Sequence, residues 1–557
     1  MRPPLSESYS RGATGVPLIE QTIGDFFDAM TGRQGERDAL ISRHEGRRLT
    51  YRQLQTQANQ LASALLRLGL APGDRVGIWS HNNVPWVLMQ MATAKAGVIL
   101  VNINPAYRVS ELEYALNKVG CKALVTMPRF KTSDYLGMIR ELGPQRLPHL
   151  RTVVWIDPPG QGADEPGALR FSELMARGDP HDAQVAQIQR TLKATDPVNI
   201  QFTSGTTGFP KGATLTHRNI LNNGFFIGEC MRLTPEDRLC IPVPLYHCFG
   251  MVLGNLACLT HGAAIVYPND SFDPLATLQA VQAEKCTGLH GVPTMFIAEL
   301  EHPRFSEFDL STLRTGIMAG SPCPIEVMKR VLSDMYLSEM TIAYGMTETS
   351  PVSCQSDVST PLDKRVSTVG TVQPHLEVKI VDPESGVTVA PGVTGELCTR
   401  GYSVMHGYWD DAQKTREVID AERWMHTGDL ATMDAQGYVN IVGRIKDMVI
   451  RGGENVYPRE IEEFLYRHPK VQDVQVVGVP DPKYGEELCA WVIAKPGLKV
   501  TEDELRAFCK GQIAHYKVPR YIRFVEAFPM TITGKIQKFR IRDQMRQELG
   551  LAVAPPA

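Results

Sequence analysis

The chain has 557 residues, of which 43% are hydrophobic and 21% charged, so its composition is that of a globular protein long enough for at least two domains. Its formal net charge of −3 gives no electrostatic reason to expect nucleic acid or an anionic membrane as a partner. The eleven cysteines are dispersed without a CxxC pair, which favours reduced thiols and a cytoplasmic location over a disulfide framework or a zinc site. We expect no signal peptide, no mitochondrial address and no integral membrane segment.

The first half of the chain alternates strand-like and helix-like segments. Strands are predicted at 75–80, 97–102 and 121–126, with helices at 84–96 and 110–118 between them. Short apolar strands separated by helices of this length are typical of βαβ units and of a mostly parallel sheet. The predicted fold class is therefore α/β, with a large N-terminal domain of mostly parallel sheets.

A loop rich in glycine and hydroxyl groups follows a predicted strand at 198–202. It reads TSGTTGFPKG and runs from Thr203 to Gly212, with one cation at Lys211. Free backbone N–H groups, hydroxyls and a lysine are the chemistry of a loop that wraps a polyphosphate. The pattern GxxxxGK[ST] does not fit, because Pro210 precedes Lys211 and Gly212 follows it, so this is a phosphate loop of another kind. A flexible surface turn is the alternative.

The pentapeptide YGMTE at 344–348 complements such a loop. Tyr344 can stack on a purine, Gly345 lets a ligand approach the backbone, and Thr347 supplies a hydroxyl. Glu348 is a hard oxygen ligand suited to Mg²⁺. A turn at the end of a strand is the alternative.

The tripeptide TGD at 427–429 is followed fifteen residues later by Arg444. The Asp429 carboxylate can accept both hydroxyls of a ribose, and the Arg444 guanidinium offers a planar fork to the same sugar or to a phosphate. A helix cap is the alternative role for Asp429.

The character of the sequence changes near 443–447, and we predict a domain boundary there, with domains at 1–445 and 446–557. The second domain is predicted to be a small α+β unit, with a helix that begins at Pro458, strands at 471–479 and 488–494, and a capping box at 501–504. Gly452 and Gly453 leave a slot for a thin chain, or simply form a hairpin turn. Lys535, in the segment TITGK, either reaches across the gap between the domains to developing negative charge or is a solvated surface lysine.

Taken together and in order, these five clusters resemble the adenylate-forming superfamily, and the overall pattern is most similar to the medium-chain fatty acyl-CoA synthetases. The resemblance implies that a carboxylate attacks the α-phosphorus of ATP, that pyrophosphate leaves, and that coenzyme A then displaces AMP. It implies a mobile C-terminal domain that pivots at Lys446 and alternately presents Lys535 and the Gly452–Gly453 pair to one site. Lys535, Glu348, Thr206 and His247 are the implied catalytic residues, and Glu348 and Thr206 position Mg²⁺. The implied nucleotide and coenzyme A contacts are Thr203, Ser204, Gly205, Thr206, Thr207, Gly208, Phe209, Pro210, Lys211, Gly320, Ser321, Pro322, Tyr344, Gly345, Met346, Thr347, Asp429, Arg444, Lys535, Gly452 and Gly453.

The acid substrate is less well specified by the sequence. The segment PLYHCFG at 244–250 resembles the family segment beside the acyl pocket, where His247 and Phe249 line or gate it. We expect a fatty acid of medium or longer chain. An aromatic acid, loading of a carrier protein and a luciferase-like reaction stay open, and so does assembly as a homo-oligomer.

Overall fold

The computed structural model describes residues 4–130, 132–157, 167–203, 210–321, 323–452, 454–510, 512–531 and 535–550. Within them the α-helices are α1 Ile23–Gln34, α2 Tyr51–Arg67, α3 Val84–Ala96, α4 Val109–Val119, α5 Tyr135–Arg146, α6 Phe171–Ala176, α7 Ala183–Gln189, α8 His217–Cys230, α9 Ala257–His261, α10 Pro274–Glu284, α11 Pro293–Leu300, α12 Ile325–Asp334, α13 Leu362–Ser367, α14 Ala412–Val418, α15 Pro458–Leu465, α16 Glu502–Cys509 and α17 Lys538–Glu548. A π-helix spans Phe249–Leu256, and 3₁₀ turns lie at Phe305–Glu307, Thr347–Thr349, Ile445–Asp447 and His515–Lys517.

The strands in the same residues are β1 Tyr9–Arg11, β2 Asp38–Ser42, β3 Arg47–Thr50, β4 Arg75–Trp79, β5 Ile99–Asn102, β6 Ala123–Thr126, β7 Arg129–Phe130, β8 Ser133–Asp134, β9 Thr152–Trp155, β10 Leu169–Arg170, β11 Pro197–Thr203, β12 Lys211–Thr216, β13 Arg238–Cys240, β14 Ala264–Tyr267, β15 Gly288–Gly291, β16 Thr315–Met318, β17 Glu339–Gly345, β18 Val352–Gln355, β19 Thr371–Val372, β20 Leu376–Val381, β21 Gly395–Gly401, β22 Gly407–Tyr408, β23 Met425–Met433, β24 Val439–Arg444, β25 Val449–Arg451, β26 Glu454–Val456, β27 Val471–Asp481, β28 Gly485–Ala494 and β29 Tyr521–Phe524.

Two large, mostly parallel sheets form the body of the protein, and the predicted fold class is confirmed. One sheet has the order β10-β9-β6-β4-β5-β11-β12-β22, and its strands are parallel from β10 to β11. The other has the order β19-β18-β17-β16-β15-β13-β14-β2-β3, with a parallel centre from β17 to β2. Antiparallel strands lie at the edges, where β12 and β18 turn back along the strands that carry the two predicted nucleotide motifs.

Helix α3 lies in the main hydrophobic core. All thirteen of its residues are buried, including Gln90, Thr93 and Lys95, so it has no exposed polar face. The Asn83 side chain caps its N-terminus by accepting from Trp86 N–H, and Gly97 ends it in the left-handed conformation at φ 68°. The predicted strand at 97–102 therefore begins only at Ile99, because Gly97 belongs to the helix cap.

A third sheet, with the order β1-β20-β21-β23-β24, is entirely antiparallel. The sequence did not predict it, since it joins the N-terminal segment to strands near residue 440. Strand β24 ends at Arg444, a 3₁₀ turn spans Ile445–Asp447, and β25 begins a separate sheet at Val449.

That fourth sheet, β26-β25-β28-β27 with β29 beside β28, packs against α15, α16 and α17 as a small α+β unit. Helix α15 begins at Pro458, as predicted, and Thr501 caps α16 by accepting from Glu504 N–H. In the described part of the chain, every helix is too short or too polar to cross a membrane.

Candidate active site

Strands β11 and β12 carry the two arms of the predicted phosphate loop. Thr203 lies opposite Lys211 in their antiparallel register, so the arms are fixed at the base of the loop. The Thr203 hydroxyl donates to Glu348 Oε1 at 3.1 Å. Lys211 Nζ lies 5.1 Å from the centroid of the Tyr408 ring. The predicted contacts Ser204, Gly205, Thr206, Thr207, Gly208 and Phe209 lie outside the described residues; Pro210 is described and half-buried.

The YGMTE segment leaves β17 at Gly345 and enters a 3₁₀ turn at Thr347–Thr349. Glu348 is buried in this turn, and its Oε1 accepts hydrogen bonds from Thr203 and from the Tyr408 hydroxyl, the latter at 2.8 Å. A Cβ on residue 345 would lie 1.6 Å from the Pro351 carbonyl oxygen. Packing of the β17–β18 pair therefore requires glycine there, whatever a ligand requires.

The TGD segment lies within β23 and meets Arg444 of the antiparallel neighbour β24, where Asp429 lies opposite Arg444. Arg444 Nε is 3.2 Å from Asp429 Oδ1, and the Tyr344 hydroxyl donates to Asp429 Oδ2 at 2.7 Å. Asp429 is thus a strand residue and not a helix cap. Burial, and next the Asp429 charge, raise the pKa of Tyr344, so its hydroxyl stays a donor.

Tyr344, Asp429 and Arg444 line one cavity of about 710 Å³ between the large and the small unit, whereas Thr203, Lys211 and Glu348 are not among its lining residues. Its walls include the predicted site residues Gly320, Ser321, Tyr344, Gly345, Asp429, Arg444, Lys446 and Lys535. Gly320 has φ 91°, a conformation that favours glycine. Pro322 lies outside the described residues.

Lys535 enters this cavity from the small unit. The residue keeps exposed surface, and it lines the cleft together with Arg444 and Asp429. Burial and the positive charge of Arg444 lower the pKa of Lys535 to about 8, against the opposing effect of Asp429. Burial and Arg444 also lower the pKa of Lys446. The cleft therefore holds several cations near one another, as a site for a polyanion would.

His247 lies at the start of the π-helix region. Burial of its imidazole and the Lys535 charge lower the pKa of His247 to about 4, and its Nδ1 accepts from Phe249 N–H at 3.2 Å. The imidazole is therefore neutral near pH 7. Phe249 in turn packs on His290, with ring centroids 5.4 Å apart.

The structure does not bring Gly452 to this cavity. Gly452 has φ 61° and forms the turn between β25 and β26, the hairpin that the sequence offered as the alternative. Gly453 lies outside the described residues. Met346 and Thr347 belong to the turn that carries Glu348; Met346 N–H donates to Pro351 O at 3.0 Å, and the Thr347 side chain is buried.

Two contributions to the site were missed by the sequence reasoning. One is Tyr408, which touches both Glu348 and Lys211. The other is Glu396, which accepts from Gly428 N–H at 3.0 Å and from His426 at 2.9 Å, behind the TGD segment. Hydrogen bonds to Cys398 and Glu396 raise the pKa of His426 to about 10. Each residue follows a glycine, Gly395 and Gly407, but the sequence analysis did not single out this stretch.

Comparison with known proteins identifies the family of the chain. Residues 27–409 match the AMP-binding enzyme family, and residues 460–535 match the AMP-binding enzyme C-terminal domain. The chain belongs to the AMP-binding enzyme family.

Several of its relatives carry the names of acyl-CoA ligases or synthetases. It is 47% identical to the medium-chain acyl-CoA ligase ACSF2, mitochondrial, of Bos taurus, over 98% of this chain and 91% of that protein. It is 48% identical to the putative acyl-CoA synthetase YngI of Bacillus subtilis, over 96% of this chain and 99% of that protein. The fold is similar to that of the anthranilate CoA ligase AuaEII in complex with anthranoyl-AMP, with a TM-score of 0.87 at 28% identity, over 97% and 99% of the two chains.

Proposed function

We propose that this protein is an ATP-dependent fatty acyl-CoA synthetase of the AMP-forming type. The substrate carboxylate attacks the α-phosphorus of ATP, a new C–O–P linkage forms, and pyrophosphate leaves. The thiolate of coenzyme A then attacks the acyl carbon, and AMP leaves with the bonding electrons of the mixed anhydride. Family membership and the relatives support this reaction class.

One observation carries the proposal: Lys535 of the small unit lines the same cavity as Asp429, Arg444 and Tyr344 of the large unit. Those residues come from sequence positions far apart, yet each has a role in holding or transforming one nucleotide. The Asp429 carboxylate accepts ribose hydroxyls, and Arg444 fixes its orientation by the 3.2 Å ion pair. The Lys535 cation opposes the charge that develops on the α-phosphate and the attacking carboxylate.

The residues around Glu348 fit a magnesium ion that arrives with ATP. A carboxylate oxygen is the ligand type that Mg²⁺ prefers, and Glu348 is oriented by two hydroxyl donors on the same oxygen, Oε1. When bound, Mg²⁺ neutralises negative charge on the phosphates. Thr206, the second predicted ligand, stays a prediction because it lies outside the described residues.

The phosphates would be held by the loop between β11 and β12. Lys211 supplies a cation at the start of β12, and the Thr203–Glu348 hydrogen bond ties the loop base to the carboxylate. Neutral His247 carries no charge into the acyl region, where Phe249 and the buried apolar π-helix follow it. We propose that the acyl chain runs beside this buried segment, whose apolar side chains suit the tail of a fatty acid more than a charged or amino-bearing acid.

We propose medium- or long-chain fatty acids as the substrates, supported by the relatives named medium-chain acyl-CoA ligase and by this apolar segment. The test is AMP release from ATP with coenzyme A and a panel of carboxylic acids. Octanoate to palmitate should give the highest kcat/KM, and benzoate and cinnamate at least about tenfold less. A preference for the aromatic acids would make the protein an aryl-CoA ligase.

The thiol acceptor is tested in the same assay. Coenzyme A should support acyl transfer, whereas a phosphopantetheinylated carrier protein should not. The reverse preference would identify a carrier-loading adenylation enzyme. A cytoplasmic location stays a prediction, which fractionation of the native host would check.

A further inference from the structure

A short strap of chain, residues 405–409, joins the two predicted phosphate-binding elements. Met405 N–H donates to the Glu348 carbonyl at 2.9 Å. His406 N–H donates to the Thr214 carbonyl at 2.9 Å, and Trp409 N–H to that of Gly212 at 2.7 Å. The 405–409 strap is therefore held on one side by the turn that carries Glu348 and on the other by β12, which begins at Lys211.

Tyr408 is the side chain through which this strap reaches both elements. It is 7% exposed, its hydroxyl donates to Glu348 Oε1 at 2.8 Å, and its ring lies 5.1 Å from Lys211 Nζ. Its backbone pairs with Ala213, and its own N–H donates to Thr415 Oγ1 at 2.9 Å, so the ring has a fixed base. A tyrosine hydroxyl is protonated near pH 7, so it donates to the carboxylate.

Two hydroxyls thus hold one carboxylate oxygen. Thr203 and Tyr408 both donate to Oε1 of Glu348, at 3.1 and 2.8 Å. A carboxylate held at one oxygen by two donors cannot rotate freely, and its second oxygen keeps a fixed direction. Partners of this kind commonly tune metal affinity, because a ligand that needs no reorientation binds more tightly.

We propose that Tyr408 is a positioning residue for the metal–phosphate centre: its hydroxyl orients Glu348 toward Mg²⁺, and its ring holds the Lys211 ammonium beside the same phosphates. The inference rests on the proposed function, in which Glu348 meets the magnesium of MgATP. It adds a residue outside the glycine-rich loop and the YGMTE segment to the nucleotide machinery. Tyr408 touches the predicted ligand and not the reacting atoms, so its action is indirect.

The test is ATP binding without a carboxylic acid, so that no turnover occurs. Titration calorimetry gives the Kd for ATP in EDTA and the Kd in Mg²⁺. The ratio of the first Kd to the second is called the magnesium gain. Tyr408→Phe removes the hydroxyl and keeps the ring, and we expect the magnesium gain to fall by about tenfold or more. Tyr402→Phe is the matched control, since Tyr402 is also buried and its hydroxyl accepts from Asn223 and does not contact Glu348.

Tyr408→Leu separates the ring from the hydroxyl. It should lose the magnesium gain as Tyr408→Phe does, and also raise the Kd for ATP in EDTA by about two- to fivefold, because Lys211 loses its aromatic partner. Thr203→Val removes the other donor and should lower the magnesium gain in the same direction. This variant keeps the test available if a Tyr408 variant melts at a much lower temperature than the wild type.

An unchanged magnesium gain in folded Tyr408→Phe would overturn the inference, and so would an equal loss in Tyr402→Phe. Failure of the proposed function looks different. In that case the wild type itself would show no ATP–pyrophosphate exchange with any acid of the panel, whatever the variants do.

Discussion

The pKa of Lys535 makes the adenylation step pH-dependent in a way that can be assigned to one atom. Burial and Arg444 lower this pKa to about 8, and only the protonated form opposes the charge of the reacting phosphate. With that pKa, about nine-tenths of the enzyme carries the cation at pH 7 and about one-tenth at pH 9. We therefore expect kcat/KM for ATP to fall about tenfold per pH unit above pH 8.

The assay is ATP–pyrophosphate exchange, which needs no coenzyme A and so excludes titration of its thiol. In Lys535→Arg the guanidinium stays charged, so the plateau should be lower but the decline above pH 8 should disappear. Lys535→Ala should lose exchange by about 100- to 1000-fold while it still converts supplied acyl-adenylate to thioester.

Lys538 provides the control, since it lines the same cavity but is paired with Glu462 at 2.5 Å. Lys538→Arg should keep the wild-type pH profile. If Lys535→Arg also kept the decline at pH 8, another group would be titrating and the assignment would be refuted.

Three further substitutions test the hinge, the nucleotide pocket and a buried histidine. Lys446→Pro fixes φ in the 3₁₀ turn. It should preserve pyrophosphate exchange but slow thioester formation at least about tenfold, whereas the control Lys446→Ala should slow neither. Wild-type rates of both half-reactions in Lys446→Pro would refute the hinge assignment. Tyr344→Phe removes the donor to Asp429 Oδ2 and should raise KM for ATP about tenfold, with KM for the acid unchanged. An unchanged KM for ATP would show that the Tyr344 hydroxyl has no part in nucleotide binding. Burial lowers the pKa of His217 to about 4, and its Nδ1 accepts from Ile23 N–H. The unfolded chain therefore binds a proton that the folded one excludes between about pH 6.5 and 4, and the free energy of unfolding should fall by about 1.4 kcal/mol per pH unit as pH drops through that window. Denaturant unfolding at pH 7.5 and at pH 5 should show that the free energy of unfolding falls less in His217→Gln than in the wild type. An equal fall in both proteins would assign the acid sensitivity to another group.

The elements that follow local rules were predictable from the sequence. Helix α3 spans Val84–Ala96 and α15 begins at Pro458, both as predicted, because the start signals are local: an Asn83 cap before α3 and a proline at the first position of α15. The α/β class followed from the alternation of strand-like and helix-like segments in the first half of the chain. The phosphate loop stood out by its own composition, whereas Asp429, Arg444 and Lys535 were ambiguous one by one and were assigned because the five clusters together resemble a family.

Tertiary structure decided what those segments do together. The antiparallel third sheet pairs Tyr9 with Lys379, and no local pattern encodes a pairing over that distance. The Tyr408 hydroxyl meets Glu348 across sixty residues, and it is buried by strand pairing rather than by a motif. The pKa of Lys535 likewise depends on Arg444 and on the walls of the cleft. The sequence by itself therefore determines which side-chain chemistry is available. Distances, burial and neighbouring charges set how that chemistry acts, and they exist only once the chain is folded.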